Sequence, residues 1–287
     1  MKIAVVSGKG GTGKTTVAAA LADLCEGPLV LADCDVDAAN FGLVFPAKGT
    51  TSSPYAGRDV ACIDTDLCTG CGACEDVCRF SAVCVNGDKA EVKMLSCEGC
   101  GTCTLVCPTD AITLKKIISG EILSGTTAKG PLVSARLFAG SGNSGRMVHE
   151  VKRRALTPVL VSPVIIDGPP GIGCPLIATV GGVDAVLMVT EPGISAVHDL
   201  KRLVTVCKGL HMRMFTVINR CDLSNDLVRE IERFCDAEHI PVIGRIPFDE
   251  NVVTAVSACM PVTRIPCPAT DALCLMKETL FSQMDLI

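Results

Sequence analysis

The chain has 287 residues, none of them tryptophan and one of them tyrosine, and aromatic residues make up only 3% of it. Its core must therefore be built from Val, Ile, Leu and Ala. Positive charge is short as well: 26 Lys and Arg against 31 Asp and Glu leave a net charge of −5. A nucleic-acid-binding surface needs a basic stripe to displace phosphate counterions, so that partner class is excluded. No apolar run reaches the roughly 18 residues that announce a membrane span. Histidine is sparse, and His149, His198, His211 and His239 are scattered without a catalytic grouping. A secretory signal is not expected, because residues 1–6 give way at once to Ser7-Gly8-Lys9-Gly10 and cut any hydrophobic segment short. A cytoplasmic location is the expectation. What the chain does have is 48% hydrophobic and 20% charged residues, a composition that folds. Its length suits roughly two domains at about 150 residues each.

Cysteine is abundant, at 19 residues. In a reducing compartment thiols stay free, and so many free thiols point to metal. Eight fall into two runs, Cys68-x₂-Cys71-x₂-Cys74-x₃-Cys78 and Cys97-x₂-Cys100-x₂-Cys103-x₃-Cys107-Pro108, offset by 29 residues. This is the spacing of bacterial two-cluster ferredoxins, in which the fourth cysteine of each run ligates the other cluster. One [4Fe-4S] cluster is thus expected on Cys68, Cys71, Cys74 and Cys107, and a second on Cys97, Cys100, Cys103 and Cys78. Zinc, the structural rival, prefers paired C-x₂-C units and would leave the third cysteine of each triplet idle. One departure is visible: Arg79 follows Cys78 where proline is usual, and a cation there would raise that cluster's potential. Each oxidised cube with four thiolates carries a formal charge of about −2, taking the chain to roughly −9 and favouring a partner with a basic docking face. Cys25, Cys84, Cys207, Cys235 and Cys274 lie in apolar stretches and are expected as small core residues. Cys34 and Cys174 adjoin the loops described below and are candidates for redox sensing or cluster handling.

Along the chain, residues 2–6, 8–15, 15–25 and 29–32 read as strand, glycine loop, helix and strand, the rhythm of a parallel α/β sheet. Residues 48–58 turn to Thr, Ser, Pro and Gly, and from residue 60 to about 118 the rhythm gives way to cysteine density. The expected organisation is a discontinuous α/β domain, 1–58 and 119–287, interrupted by a small α+β insert, 59–118. After a Gly/Ser-rich stretch, 119–145, and a basic Lys152-Arg153-Arg154 read as a solvated helix face, strands return at 164–167, 185–190, 214–219 and 241–246. Helices are expected at 195–208, 225–235 and 269–284.

Gly8-Lys9-Gly10-Gly11-Thr12-Gly13-Lys14-Thr15 matches G-x-x-x-x-G-K-[ST] between a strand and a helix, the context that marks a P-loop. Its glycines let successive backbone N–H groups face phosphate oxygens at the positive end of the following helix. Lys14 would bridge the β- and γ-phosphates, and the Thr15 hydroxyl would ligate Mg²⁺. Thr16 completes the expected ATP-binding loop. The extra lysine makes KGGTGKT resemble the deviant Walker-A motif of the MinD/ParA class, although Lys9 alone could be a solvated loop lysine. Three further segments are similar to that class in order: Asp33-Cys34-Asp35-Val36-Asp37-Ala38-Ala39-Asn40, the run from Ile165 to Cys174, and Val217-Ile218-Asn219-Arg220-Cys221-Asp222. Thr190-Glu191-Pro192-Gly193 resembles another strand-end turn of that class.

The whole chain resembles MinD-superfamily P-loop ATPases carrying an inserted two-cluster ferredoxin domain. The resemblance implies a doubly wound, mostly parallel α/β fold and a homodimer or heterodimer with ATP held between subunits. It implies that Lys9 reaches the partner's phosphates, that Asp35 orients the attacking water and that Asp167 helps Thr15 hold Mg²⁺. Asn219, with Arg220 beside it, would read adenine. Asp33 and Asp37 would support or cap. The implied activity is ATP hydrolysis that controls electron or cluster delivery to a client metalloprotein or redox partner. The rival is a nucleotide-gated scaffold with redox-inert clusters. MinD-like membrane association is not expected, since residues 273–287 offer Lys277 against Glu278 and Asp285 and form no basic amphipathic helix.

Overall fold

The computed structural model describes residues 1–157 and 163–284. Asp285, and with it the end of the tail just considered, lies outside the described residues. In chain order the strands are β1 Lys2–Ser7, β2 Val30–Asp33, β3 Lys48–Tyr55, β4 Arg58–Ile63, β5 Val83–Asn86, β6 Lys89–Val92, β7 Ile112–Ile117, β8 Gly120–Thr127, β9 Gly130–Leu137, β10 Val164–Pro170, β11 Ala185–Thr190, β12 Met214–Asn219 and β13 Val242–Ile246. The helices are α1 Lys14–Leu24, α2 Phe41–Val44, α3 Ala73–Asp76, α4 Thr102–Val106, α5 Ser144–Leu156, α6 Cys174–Val180, α7 Ile194–Gly209, α8 Asn225–Ala237, α9 Glu250–Ser257 and α10 Pro268–Met284. No helix among the described residues is long and apolar enough to cross a membrane.

Nine strands hydrogen-bond in the order β13-β12-β11-β1-β10-β2-β9-β8-β3. β1 pairs in parallel with both β10 and β11, and parallel pairing continues outward to β2 and β9 on one side and to β12 and β13 on the other. The central strands are continuous apolar runs because helices cover both faces of a parallel sheet. Ile3, Ala4, Val5, Val6, Ile165, Ile166, Leu187 and Met188 are each fully buried. Parallel pairing brings the carboxyl ends of β1, β2, β10 and β11 to one edge, where loops in such sheets bind ligands. Asp33 and Asp167 are direct partners across β2 and β10 at that edge.

Contacts divide the chain into two compact units: Met1–Ser52 with Ile122–Arg136 and Ser144–Ile287, and Ser53–Glu121 with Leu137–Asn143. The division falls outside the 59–118 expected from composition. Three strands also form where none was expected: β3 in the Thr/Ser segment, and β8 and β9 in the Gly/Ser-rich one. They lie at one margin of the sheet, where β3 is mostly exposed. Polar β-branched residues such as Thr50, Thr51, Thr126 and Thr127 suit a half-solvated strand but carry no apolar run to announce it. Helices α6 and α9 form where the sequence predicts none, and α5 extends the helix expected at residues 152–154 back to Ser144.

The smaller unit repeats itself. β4 pairs antiparallel with β7, and β5 with β6, in equivalent register: Ala61 faces Leu114, and Val85 faces Ala90. The 29-residue offset carries Ala61 onto Ala90 and Val85 onto Leu114, so the two antiparallel pairs exchange under the repeat. The turns match too. Gly70 and Gly99 have φ of +65° and +64°, and a Cβ on either would lie 2.4 Å from Asp88 O or 2.3 Å from Asp59 O. Only glycine fits there.

Candidate functional site

The loop between β1 and α1 is held close against its surroundings. Gly13 has φ +88°, and a Cβ there would lie 2.2 Å from the Asn219 side-chain amide. A Cβ on Gly8 would lie 2.7 Å from the Asp199 Cβ. Lys14, the first residue of α1, is buried. Its Nζ donates to Asp167 Oδ1 at 2.6 Å and to Thr15 Oγ1 at 3.3 Å, and lies 3.8 Å from Asp35 Oδ2. Thr15 Oγ1 donates to Asp167 Oδ2 at 2.7 Å. One carboxylate within β10 thus holds both polar residues that open α1. Burial raises the Asp167 carboxyl above its ordinary range even with the Lys14 ammonium beside it. Burial, with the charge of Asp167, pushes Asp33 up to about 7, and burial also raises Asp35. Asp33 accepts from the backbone N–H of Asp35 at 3.1 Å and of Phe41 at 2.8 Å, so it shapes the turn that presents Asp35.

Lys9 is occupied within its own chain. Its Nζ pairs with Glu191 Oε1 at 2.8 Å and reaches Ser195 Oγ at 3.3 Å. Arg220 Nη1 pairs with Glu191 Oε2 at 2.9 Å and reaches Gly11 O at 3.3 Å. The residue sequence reasoning missed is therefore Glu191, which bridges the two cations. Its segment reads as a plain strand-end turn, and nothing in local spacing ties it to Lys9. The Glu191 carboxyl is held below its ordinary value: burial works the other way, but the Lys9 hydrogen bond and the charges of Lys9 and Arg220 outweigh it. Asn219 Nδ2 donates to Thr12 O at 2.8 Å, so its amide buttresses the loop itself. The Thr12 hydroxyl is buried with no hydrogen-bond partner, a polar group left for a loop ligand to satisfy.

The cysteine runs come together across their repeats. One cavity is lined by Cys68, Cys71, Cys74 and Cys107, and another by Cys97, Cys100, Cys103 and Cys78. Backbone N–H groups point at the sulfurs in matched pairs: Ala90 to Cys68 and Ala61 to Cys97, each at 3.4 Å, and Ala82 to Cys78 and Ala111 to Cys107, each at 3.3 Å. Hydrogen bonds to sulfur are among the levers by which a protein tunes a ligated metal. The Thr102 hydroxyl and backbone N–H hold the Cys100 thiol below its ordinary value. Among the described residues, no three or more His, Cys, Asp or Glu side chains converge to hold a single metal ion. A cubane asks for a different arrangement, because each thiolate binds a different iron and the sulfurs stand apart around it.

Residues 3–262 match the family model described as the CobQ/CobB/MinD/ParA nucleotide binding domain. The chain belongs to that family. It is a P-loop ATPase of the MinD/ParA kind. Over 227 residues it is 40% identical to the uncharacterized protein MJ0578 of Methanocaldococcus jannaschii, covering 78% of this chain and 80% of that one. Its fold is similar to that of the cell division ATPase MinD of Pyrococcus furiosus (TM-score 0.59, 20% identity, 98% of each chain). It is similar also to the septum site-determining protein MinD of Pyrococcus horikoshii, solved with Mg-ADP (TM-score 0.58, 20% identity, 99% and 97% of the two chains).

Three expectations need correcting within this P-loop protein. Lys152 is not on a solvated face but buried in α5, where its Nζ donates to the carbonyls of Ala178, Thr179 and Gly181 at 2.8, 2.7 and 2.6 Å. It satisfies the open carboxyl end of α6, a role a cation fills well. Cys34 is fully buried and its thiol is pushed far up by burial and by Asp33, which makes it a poor nucleophile. Of the expected core cysteines, Cys25, Cys207 and Cys235 are buried, but Cys84 and Cys274 are partly exposed.

Proposed function

We propose that this chain is an ATP-switched iron–sulfur protein of a reducing cytoplasm. Nucleotide binding and hydrolysis in a dimer would govern the transfer of electrons, or of a cluster, from the ferredoxin-like insert to a client metalloprotein. The observation that carries the reading is the pair of cysteine cavities, each collecting three thiols of one run and the fourth of the other. Four cysteines per cavity suit a [4Fe-4S] cluster, and the matched backbone N–H groups suit the charge of thiolate ligands. Bound clusters would supply one-electron storage.

At the nucleotide site, Thr15 and Asp167 are the residues that would hold Mg²⁺, and that ion would neutralise phosphate charge. Lys14 exchanges its Asp167 partner for the β- and γ-phosphates of ATP. Asp35, 3.8 Å from Lys14 Nζ, stands where it can orient the attacking water. Lys9 leaves Glu191 to reach the partner subunit's nucleotide. These groups act by position and charge rather than by covalent chemistry. Asn219, whose Nδ2 donates to Thr12 O, would with Arg220 beside it read adenine.

An anaerobic preparation analysed for iron, sulfide and ATP turnover, with and without dithionite, tests the proposal. Clusters reducible by dithionite, at a potential that moves when ATP binds, are expected. Redox-inert clusters would instead favour the nucleotide-gated scaffold. Lys14→Ala should abolish hydrolysis while leaving the cluster spectrum intact, and turnover that survived it would refute the roles given to the loop.

A further inference from the structure

The insert holds a cation that the proposed chemistry has not used. Arg58 opens β4 and is 3% exposed. Its guanidinium is bound wholly to backbone carbonyls. Nε donates to Cys97 O at 3.2 Å and Nη1 to Gly140 O at 3.2 Å. Nη2 donates to Met94 O at 2.8 Å, Leu95 O at 2.9 Å and Cys97 O at 2.6 Å. Among the described residues no carboxylate pairs with it. A charge taken out of water without an opposite charge is costly. The cavity beside it is lined by Cys97 itself, with Cys78, Cys100 and Cys103, and that is where the compensating negative charge belongs.

The other half of the repeated insert lacks this device. Twenty-nine residues beyond Arg58 stands Gly87. Cys68 O accepts instead from Lys89 Nζ at 2.7 Å, and Lys89 is half-buried, so water and salt screen its charge. Arg79, the cation the sequence offered as a tuner of potential, is exposed and screened in the same way.

Resting on the two-cluster reading above, we infer that Arg58 is the internal counter-cation of the cluster on Cys97, Cys100, Cys103 and Cys78, and makes it the first of the two to accept an electron. Reduction adds one electron and one negative charge to a cluster, with no bond made or broken. A fixed cation in a poorly solvated setting favours the more negative state, and the half-exposed Lys89 favours it less.

The test is a stepwise dithionite titration of the full-length, anaerobically reconstituted chain, followed by EPR, with iron and sulfide analysis of every sample. Two reduction steps at different potentials are expected. Cys100→Ser should move the upper step and spare the lower, and Cys71→Ser should do the reverse. Arg58→Gln should lower the upper step alone. At the original upper midpoint the ratio of reduced to oxidised cluster should fall about tenfold, in line with the loss of a weakly screened charge. Arg58→Lys keeps the charge and should hold the step near its place, while Lys89→Gln should move the lower step only slightly. An upper step that answers to Cys71→Ser overturns the inference, and that reading needs no change at Arg58, so a misfolded Arg58→Gln leaves it intact. Equal shifts of both steps in Arg58→Gln, or none, at full iron content overturn it too. If the unmodified chain takes up no iron or sulfide, the two-cluster reading falls and this inference with it. Full loading with the order of reduction reversed sinks the inference alone.

Discussion

Lys9 and Arg220 end on the two oxygens of one carboxylate, and that arrangement sets what the phosphate loop can do before a nucleotide arrives. On the role proposed for Lys9, Glu191 would compete with phosphate for it. Glu191→Gln removes the competing charge while keeping the side chain's shape. A partly screened ion pair is worth about 1 kcal/mol, so the KM for ATP should fall roughly fivefold with kcat little changed. Steady-state turnover against ATP concentration reads this, and an unchanged or raised KM would show that Lys9 is not held back. At this scale the sequence was informative where chemistry is local. The loop from Gly8 to Thr16 and the eight spaced cysteines stood out because their partners are close neighbours or a fixed repeat away. Glu191, some 180 residues from Lys9, carried no such signal. Lys152 misled for a related reason: a Lys-Arg-Arg run looks solvated until α6 delivers three carbonyls to its first member.

Among elements, the buried strands were legible because a continuous aliphatic run has few other uses in a chain with so few aromatics. β11 and β12 fall on the residues expected of them. The margin strands β3, β8 and β9 were not, since Thr, Ser and Gly read equally as loop. The start of α5 lies behind the Gly/Ser stretch, where the sequence marks only its basic last turn, and its surface has its own electrostatics. Glu150 accepts from Arg153 Nε at 2.7 Å and from Arg154 Nε at 2.8 Å. The Arg153 hydrogen bond, with help from Arg154, lowers the Glu150 carboxyl to about 2. A carboxylate whose folded value is depressed stabilises the fold above its unfolded value, near 4.5, and that contribution is lost as pH falls through about 2. Solvent screening holds it under about 1 kcal/mol. Glu150→Gln should therefore lower the thermal midpoint slightly at neutral pH, with the gap closing between pH 4.5 and pH 2. A gap constant across that range would deny the ion pair a role.

For the molecule as a whole, the two compact units have separate cores. The larger is aliphatic, with Leu21, Leu31, Ile165 and Phe215 at 1% exposure or less. The smaller rests on Val60, Ala82, Val83 and Ile112 together with three of the cysteines, Cys74, Cys97 and Cys103. On the two-cluster proposal a core that thin would lean on its metal, because ligand binding would then be part of the folding free energy. Chelation of iron should strip amide-exchange protection from residues 53–121 while β1, β10 and β11 keep theirs. Equal loss in both units, or none in the smaller, would contradict this division of stability. The limits of the smaller unit, Ser53–Glu121 with Leu137–Asn143, carry no signal in composition, because most of them fall within strands rather than in a polar linker.

The exchange of strand pairs in the smaller unit has a consequence for how it can be built or lost. On the crossed ligand assignment, neither copy of the 29-residue motif closes a four-thiolate cage by itself. Each lends its last sulfur across the pseudo-dyad. Removing Cys78 would injure the centre nominally belonging to the downstream copy, and removing Cys107 the upstream one. Maturation is then interlocked: a half-length fragment would be stranded with incomplete coordination.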